Sequence, residues 1–415
     1  MHKICHSGSG GWRRLCGHIS SVKAAQNHIT RSYAAIPEAL RPAFGFCVQQ
    51  VRQYDYLNYV WVAQSPTDVR PALFALRAFN IETALVADNV RSREAVVGQI
   101  RFQWWRDAVR AAFEGRPPNH PVALALAHVL HNGPDVPATA TATATAAGGT
   151  ANADAAAGRH GGSSSRSVEE GDREHETGAV CGSGCSSSSS HGGVSGPTAV
   201  GSSGSSGDGG PSRGAAARYS RYSFKRIIDC READFVDPQP PLDLQALEQY
   251  AEGTASQLMY LQLAAAGIKH RDADHAASHL GRSVGLTTLL RGTAAHASAR
   301  RCYLPVDLCT EARVSQEDVY GGVVSEGLRD VVHKVASLAK GHLDEARRLA
   351  PRLPRGAASV MLPAVAVGRY LEALEAANFD PYDAKLIREH GGSGEGSAPL
   401  SYVLAVKWHQ LRGTY

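Results

Sequence analysis

The stretch Ile100-Arg-Phe-Gln-Trp-Trp-Arg-Asp-Ala-Val-Arg-Ala-Ala-Phe113 places Phe102, Trp105, Val109 and Phe113 at i, i+3, i+7 and i+11, with charged residues between them. That spacing is one face of a helix, because residues three and four apart stack on the same side of a 3.6-residue turn. The adjacent Trp104 and Trp105 point about 100° apart, so one belongs to the core and the other to its boundary.

Working outward, the same period recurs. Leu247, Ala251, Thr254, Leu258 and Leu261 form one stripe, Val331, Val335, Leu338 and His342 another, and Val367, Leu371 and Leu374 a third. Alternating β-branched runs joined by Asn-Gly or Asp-Gly are missing, and no repeat of fixed period marks a solenoid. The fold class is all-α, with helices packed around a shared core.

Two regions fall outside this pattern. Residues 1–34 carry Lys3, Arg13, Arg14, Lys23 and Arg31, and no acid occurs before Glu38. This composition is expected of a mitochondrial transit peptide, and Arg31-Ser-Tyr-Ala fits a processing site. Residues 133–218 contain no Leu, Ile, Met, Phe, Tyr or Trp and are dominated by Ala, Gly, Ser and Thr. Such a segment cannot bury enough apolar surface to offset its ordering entropy, so it is read as a disordered low-complexity insertion. Residues 45–132 and 219–415 are then expected to form a single helical domain.

Charge and cysteine usage exclude several classes. The net charge is +4, and the five basic residues of the opening segment account for all of it. A near-neutral body offers no footprint for a nucleic-acid backbone. The eight cysteines are scattered, and Cys181 and Cys185 form a C-x3-C with no second pair, so neither zinc ligation nor a disulfide framework is expected. No run of 18 apolar residues predicts a membrane span. Asp272, His275 and His279 lie at i, i+3 and i+7, a spacing a metal could use. Asp272 and Asp274 nevertheless open an Ala-rich helix, where an N-cap and first-turn acids are favoured. No metal ligand, cofactor or catalytic residue is assigned.

Three runs carry a resemblance. "PTDVRPALFALRAF" (66–79), "LGRSVGLTTLLRG" (280–292) and "RCYLP" (301–305) are similar to motifs of the squalene/phytoene synthase family. The resemblance implies a helical bundle around a central cavity, in which two Asp-x3-Asp motifs hold magnesium against a prenyl diphosphate. Paired carboxylates at i and i+4 share a helix face and suit a hard cation. By this resemblance, Asn80 and Ala84 stand at the first motif and Gly292 and His296 at the second, while Gly285 and Thr288 replace a Gln and an Asn. None of the four motif positions is a carboxylate. Arg77 and Arg291 persist beside them: either they keep a pocket for an anionic ligand, or they pair with local acids such as Glu82 or Asp88 or cap the cavity rim. Asp234, in "READF", falls where active members carry an acid and is expected to be structural here.

Further runs, "ALRAFNIETALVADNV", "DADHAASHLG" and "VSQEDVY", resemble the branch of that family formed by mitochondrial complex I assembly factors. This implies a non-catalytic pseudoenzyme in the matrix, loosely bound to the inner membrane, whose partners are complex I assembly intermediates or other assembly factors. The alternative is a prenyl diphosphate transferase, or an isoprenoid- or lipid-binding protein, with an unconventional site.

Overall fold

Helix α1 (Arg41–Tyr54) starts with proline at its second position, where the missing N–H costs nothing, and buries Phe44, Cys47 and Val51. Together with α2 (Tyr56–Gln64) it surrounds α3 (Arg70–Ala84), whose residues from Ala72 to Phe79 are all buried. A helix apolar on every side belongs at the centre of a core. Around α3 pack α4 (Ala95–Phe113), α5 (Pro121–Asn132) and α6 (Arg221–Val236). Phe79 meets the edges of Trp105 at 5.6 Å and Phe224 at 5.2 Å, which fixes α3 against α4 and α6. Trp105 is buried and Trp104 exposed, as their angular separation requires.

The coordinates are a computed structural model that describes residues 36–90, 95–132, 218–390 and 399–415, all within one compact unit. Residues 1–34 and almost all of 133–218, expected to be a transit peptide and a disordered insertion, lie outside the described residues. Among the described residues there are helices and turns but no strand.

A second apolar cluster forms around α7 (Leu244–Ala251), α8 (Gln257–Ala265), α9 (Arg271–Arg291), α10 (Glu326–Arg348) and α11 (Pro363–Ala376). Helix α8 joins the two clusters, sending Leu258 and Leu261 into the first and Met259 and Leu263 into the second. One π-helical turn, Glu252–Ser256, separates α7 from α8. It brings Gly253 so close to Cys230 that a Cβ would lie 2.3 Å from the thiol sulfur. Helix α9 lies along α10, whose stripe Val331, Val335, Ala339, Leu343 and Ala346 is buried. The chain closes with α12 (Leu400–Arg412), which returns to the first cluster through Tyr402 and Val406.

One capping expectation is corrected. The N-cap of α9 is His270, whose Nδ1 accepts the Asp272 N–H at 3.2 Å; Asp272 and Asp274 sit inside the first turn, where they complement the helix dipole.

Candidate functional site

Arg77 is 3% exposed, and its Nη1 lies 3.1 Å from Asp55 Oδ2. Asp55 is held from its other oxygen by Asn58 Nδ2 at 2.7 Å, and Asn58 in turn accepts the Trp61 indole N–H at 2.7 Å. The Trp61 ring lies under the guanidinium, 5.4 Å from centroid to Cζ. Burial pulls the Arg77 pKa down and Asp55 opposes that pull. The expectation that Arg77 pairs with Glu82 or Asp88 is therefore wrong. Glu82 lies five residues on, about 140° around the helix, whereas Asp55 arrives from the turn between α1 and α2.

One turn further along α3, Arg231 of α6 reaches Asn80. Its Nη2 donates to Asn80 Oδ1 at 2.7 Å, and its Nη1 donates to the Asn80 carbonyl and to Thr83 Oγ1. Thr83 passes its own proton to the Phe79 carbonyl at 2.9 Å. A guanidinium thus lies against the first of the motif-aligned positions. Ala84, the second, is exposed and carries no polar group.

Asp234, one turn beyond Arg231 on α6, is fixed by Arg301 Nη2 at 2.8 Å and by the Tyr303 hydroxyl at 2.8 Å. Burial pushes its carboxyl pKa up, against the pull of Arg301, Tyr303 and Arg231. The backbone achieves this through Arg300, at φ 52° just past the short helix Thr293–Ser298, which turns "RCYLP" back onto α6. Asp234, expected to be structural, is held between Arg301 and Tyr303.

At the end of α9, the His296 ring lies edge-on to Tyr303, 4.7 Å between centroids, and folds over Gly292. A Cβ on Gly292 would lie 2.5 Å from the imidazole. Burial, with Arg301 adding to it, pushes the His296 pKa down to about 4, so the ring is neutral at pH 7. Its Nδ1 is buried without a hydrogen-bond partner. Gly285 tells the same story: a Cβ there would meet Ala251 Cβ at 2.5 Å, leaving no room for a glutamine. Arg291 is half-buried, and it and Arg77 both act electrostatically on Tyr402, the buried tyrosine that α12 inserts.

The structure therefore brings Asn80, Arg231, Asp234, Arg301, Tyr303 and His296 together between α3, α6 and the end of α9, with Arg231 acting electrostatically on Asp234 and His296 meeting Tyr303 ring to ring. Asp55 and Asp234 already hold guanidinium partners. A divalent cation brought to Asn80 would face Arg231, a like charge fixed by three hydrogen bonds. Sequence reading missed Arg231, Asp55 and Thr83. The only signal for Arg231 was its place three residues before Asp234, on the same helix face.

The chain is similar to known proteins over most of its length. It is 30% identical over 345 residues, 83% of this chain and 78% of the relative, to "NADH dehydrogenase (ubiquinone) complex I, assembly factor 6" of Bos taurus. Among solved structures, a dehydrosqualene synthase superposes with a TM-score of 0.58 at 14% identity, covering 90% of this chain and 99% of that one. Squalene synthase HpnC of Alicyclobacillus acidocaldarius gives 0.57 at 15%, covering 85% and 100%. These two likenesses establish the all-α prenyl-synthase fold. The squalene/phytoene synthase family profile matches residues 51–146 and 214–390, and the chain belongs to that family.

Proposed function

We propose that this chain is a non-catalytic assembly factor for respiratory complex I, built on a prenyl synthase scaffold whose metal site is filled by its own side chains. The observation that carries the non-catalytic reading is Arg231, bound to Asn80 and Thr83 where the family's first acidic motif would present a carboxylate to magnesium. His296 over Gly292 and Ala251 against Gly285 support it from the other helix. Neither Asp-x3-Asp motif is kept in this reading.

The relative's name supports the assembly role. That role puts the protein in the mitochondrion, on the matrix side and in peripheral contact with the inner membrane, with complex I assembly intermediates or other assembly factors as partners. Among the described residues no helix is long and apolar enough to cross a membrane. Leu400, Leu404, Trp408 and Leu411 of α12 stay exposed at i, i+4, i+8 and i+11, a continuous apolar stripe suited to a protein that works by contact.

The experiment is rescue. In cells depleted of their own assembly factor, this chain restores assembled complex I, and Arg231→Lys, which keeps the charge, does so equally. Failure of the wild-type chain to restore the complex while it accumulates in mitochondria overturns the assembly role.

A further inference from the structure

Away from the filled motif site, on the N-terminal half of α9, three histidines and two glutamates meet where α9 packs against α10 and α7. His275 and His279 are four residues apart on α9 and so project from one face. Glu345 comes from α10. One donor atom from each of these three residues lies within 4.8 Å of the other two. Asp272, which the sequence groups with the histidines, is not part of the cluster.

We propose that His275, His279 and Glu345 form a binding site for a zinc-type divalent transition metal that clips α9 to α10. Two observations carry this. The first is spacing. His275 Nε2 lies 3.1 Å from His279 Nε2, and two imidazoles on one tetrahedral zinc, with Zn–N bonds of 2.0–2.1 Å, have their nitrogens about 3.3 Å apart. The two rings need only part slightly to admit the ion. Two imidazoles with a carboxylate also make a known zinc ligand set, with a fourth position left for water.

The second observation is what stands behind His279. Its Nδ1 lies 2.9 Å from His342 Nδ1, and His342 Nε2 lies 3.2 Å from Glu248 Oε1. Arg282 holds Glu248 at 2.8 Å. The contact between His342 Nε2 and Glu248 is electrostatic rather than a well-aligned hydrogen bond. The carboxylate favours a proton on His342 Nε2. His342 Nδ1 then accepts the proton of His279 Nδ1, and the lone pair of His279 Nε2 is left facing His275 and Glu345. A ligating imidazole braced through its other nitrogen is the usual outer shell of a zinc site.

The donor set selects the metal. Imidazole nitrogens suit zinc, copper, nickel or cobalt, whereas magnesium and calcium prefer oxygen. Glu345 currently pairs with Arg348, whose Nε lies 2.8 Å from Oε2. Arg348 is exposed, and a surface pair of this kind is a weak competitor.

The test uses the full chain, stripped with chelator and titrated with zinc chloride alone, following heat by calorimetry and the melting temperature in parallel. One zinc per chain and a raised melting temperature are expected. His275→Asn and Glu345→Gln should each weaken that binding at least tenfold, and His342→Gln by about tenfold through loss of the brace. His333→Asn, an exposed histidine elsewhere on α10, should change nothing. His275 is exposed and Glu345 only half-buried, so their variants should fold; the metal-free melting temperature checks this. The visible spectrum of the cobalt-loaded chain should change in the His275→Asn variant. No zinc-dependent shift, or equal zinc affinity in the wild type and the His275→Asn/Glu345→Gln double variant, overturns the proposal.

Discussion

Histidines near the two ends of α9 meet opposite fates. At the C-terminal end, the His296 ring turns inward, is desolvated and neutral, and covers the glycine of its own turn. In the N-terminal half, His275 and His279 turn their nitrogens toward each other and toward a carboxylate on the neighbouring helix. A histidine becomes a ligand when its lone pair meets other donors, and it becomes packing when it meets Tyr303. Residue identity and helical spacing do not separate these cases; the neighbouring helix does.

The filled end is the more strained to disturb. Replacing Arg77 by Met leaves Asp55, half-buried at 16% side-chain exposure, with Asn58 but no cation beside it, and should cost about 3 kcal/mol. Urea midpoints measure this, and a loss below about 1 kcal/mol would show Asp55 reaching solvent.

His296 gives the second effect, in its pH dependence. The folded pKa is about 4, below the ordinary 6.5. Between those values the unfolded chain holds a proton that the native ring refuses, so stability falls as pH drops from about 6.5 to 4 and is level on either side. His296→Asn should remove on the order of 2 kcal/mol of that acid-side loss. Other histidines with lowered pKa values add to the raw curve, so the difference between variant and wild type is the quantity to follow. Identical curves would place the ring in water.

The last pair of changes sharpens the contrast between α3 and α9. Gly292→Asp drives a side chain into the His296 ring and should destabilise the protein by about 1–3 kcal/mol. Asn80→Asp places a carboxylate against Arg231 and should change stability by less than about 0.5 kcal/mol or raise it. Equal losses at both positions would mean that Arg231 does not hold position 80 as described. Restoring the family acids is thus not one perturbation repeated four times, as repulsion between carboxylates at i and i+4 alone would suggest.

Much of the fold was legible. The stripes through Phe102 and Trp105 and through Leu247 and Leu258 are buried, and of the third Val331 and Val335 are buried while Leu338 and His342 sit half-buried at its edge, because helical period and burial follow from local spacing. The motif-aligned positions were expected through the resemblance. What fills them was not: Arg231 lies 151 residues from Asn80 in sequence, and Asp55 lies 22 from Arg77. Such pairings are set by which helices pack, a choice that periodicity leaves open. The α9 cap lies two residues earlier than expected because His270, an unusual cap, accepts the Asp272 N–H and so puts Asp272 inside the first turn rather than at its head. Glu345 was invisible beside His275 and His279 for the same reason as Arg231: it belongs to another helix.

The most direct test of the filled site is pyrophosphate release by the purified chain with magnesium and farnesyl diphosphate, read together with a magnesium-dependent thermal shift. With Arg231 against Asn80 and His296 over Gly292, neither release nor shift is expected. Sustained release at a rate above that of the buffer alone would contradict the account and restore a prenyl-diphosphate enzyme.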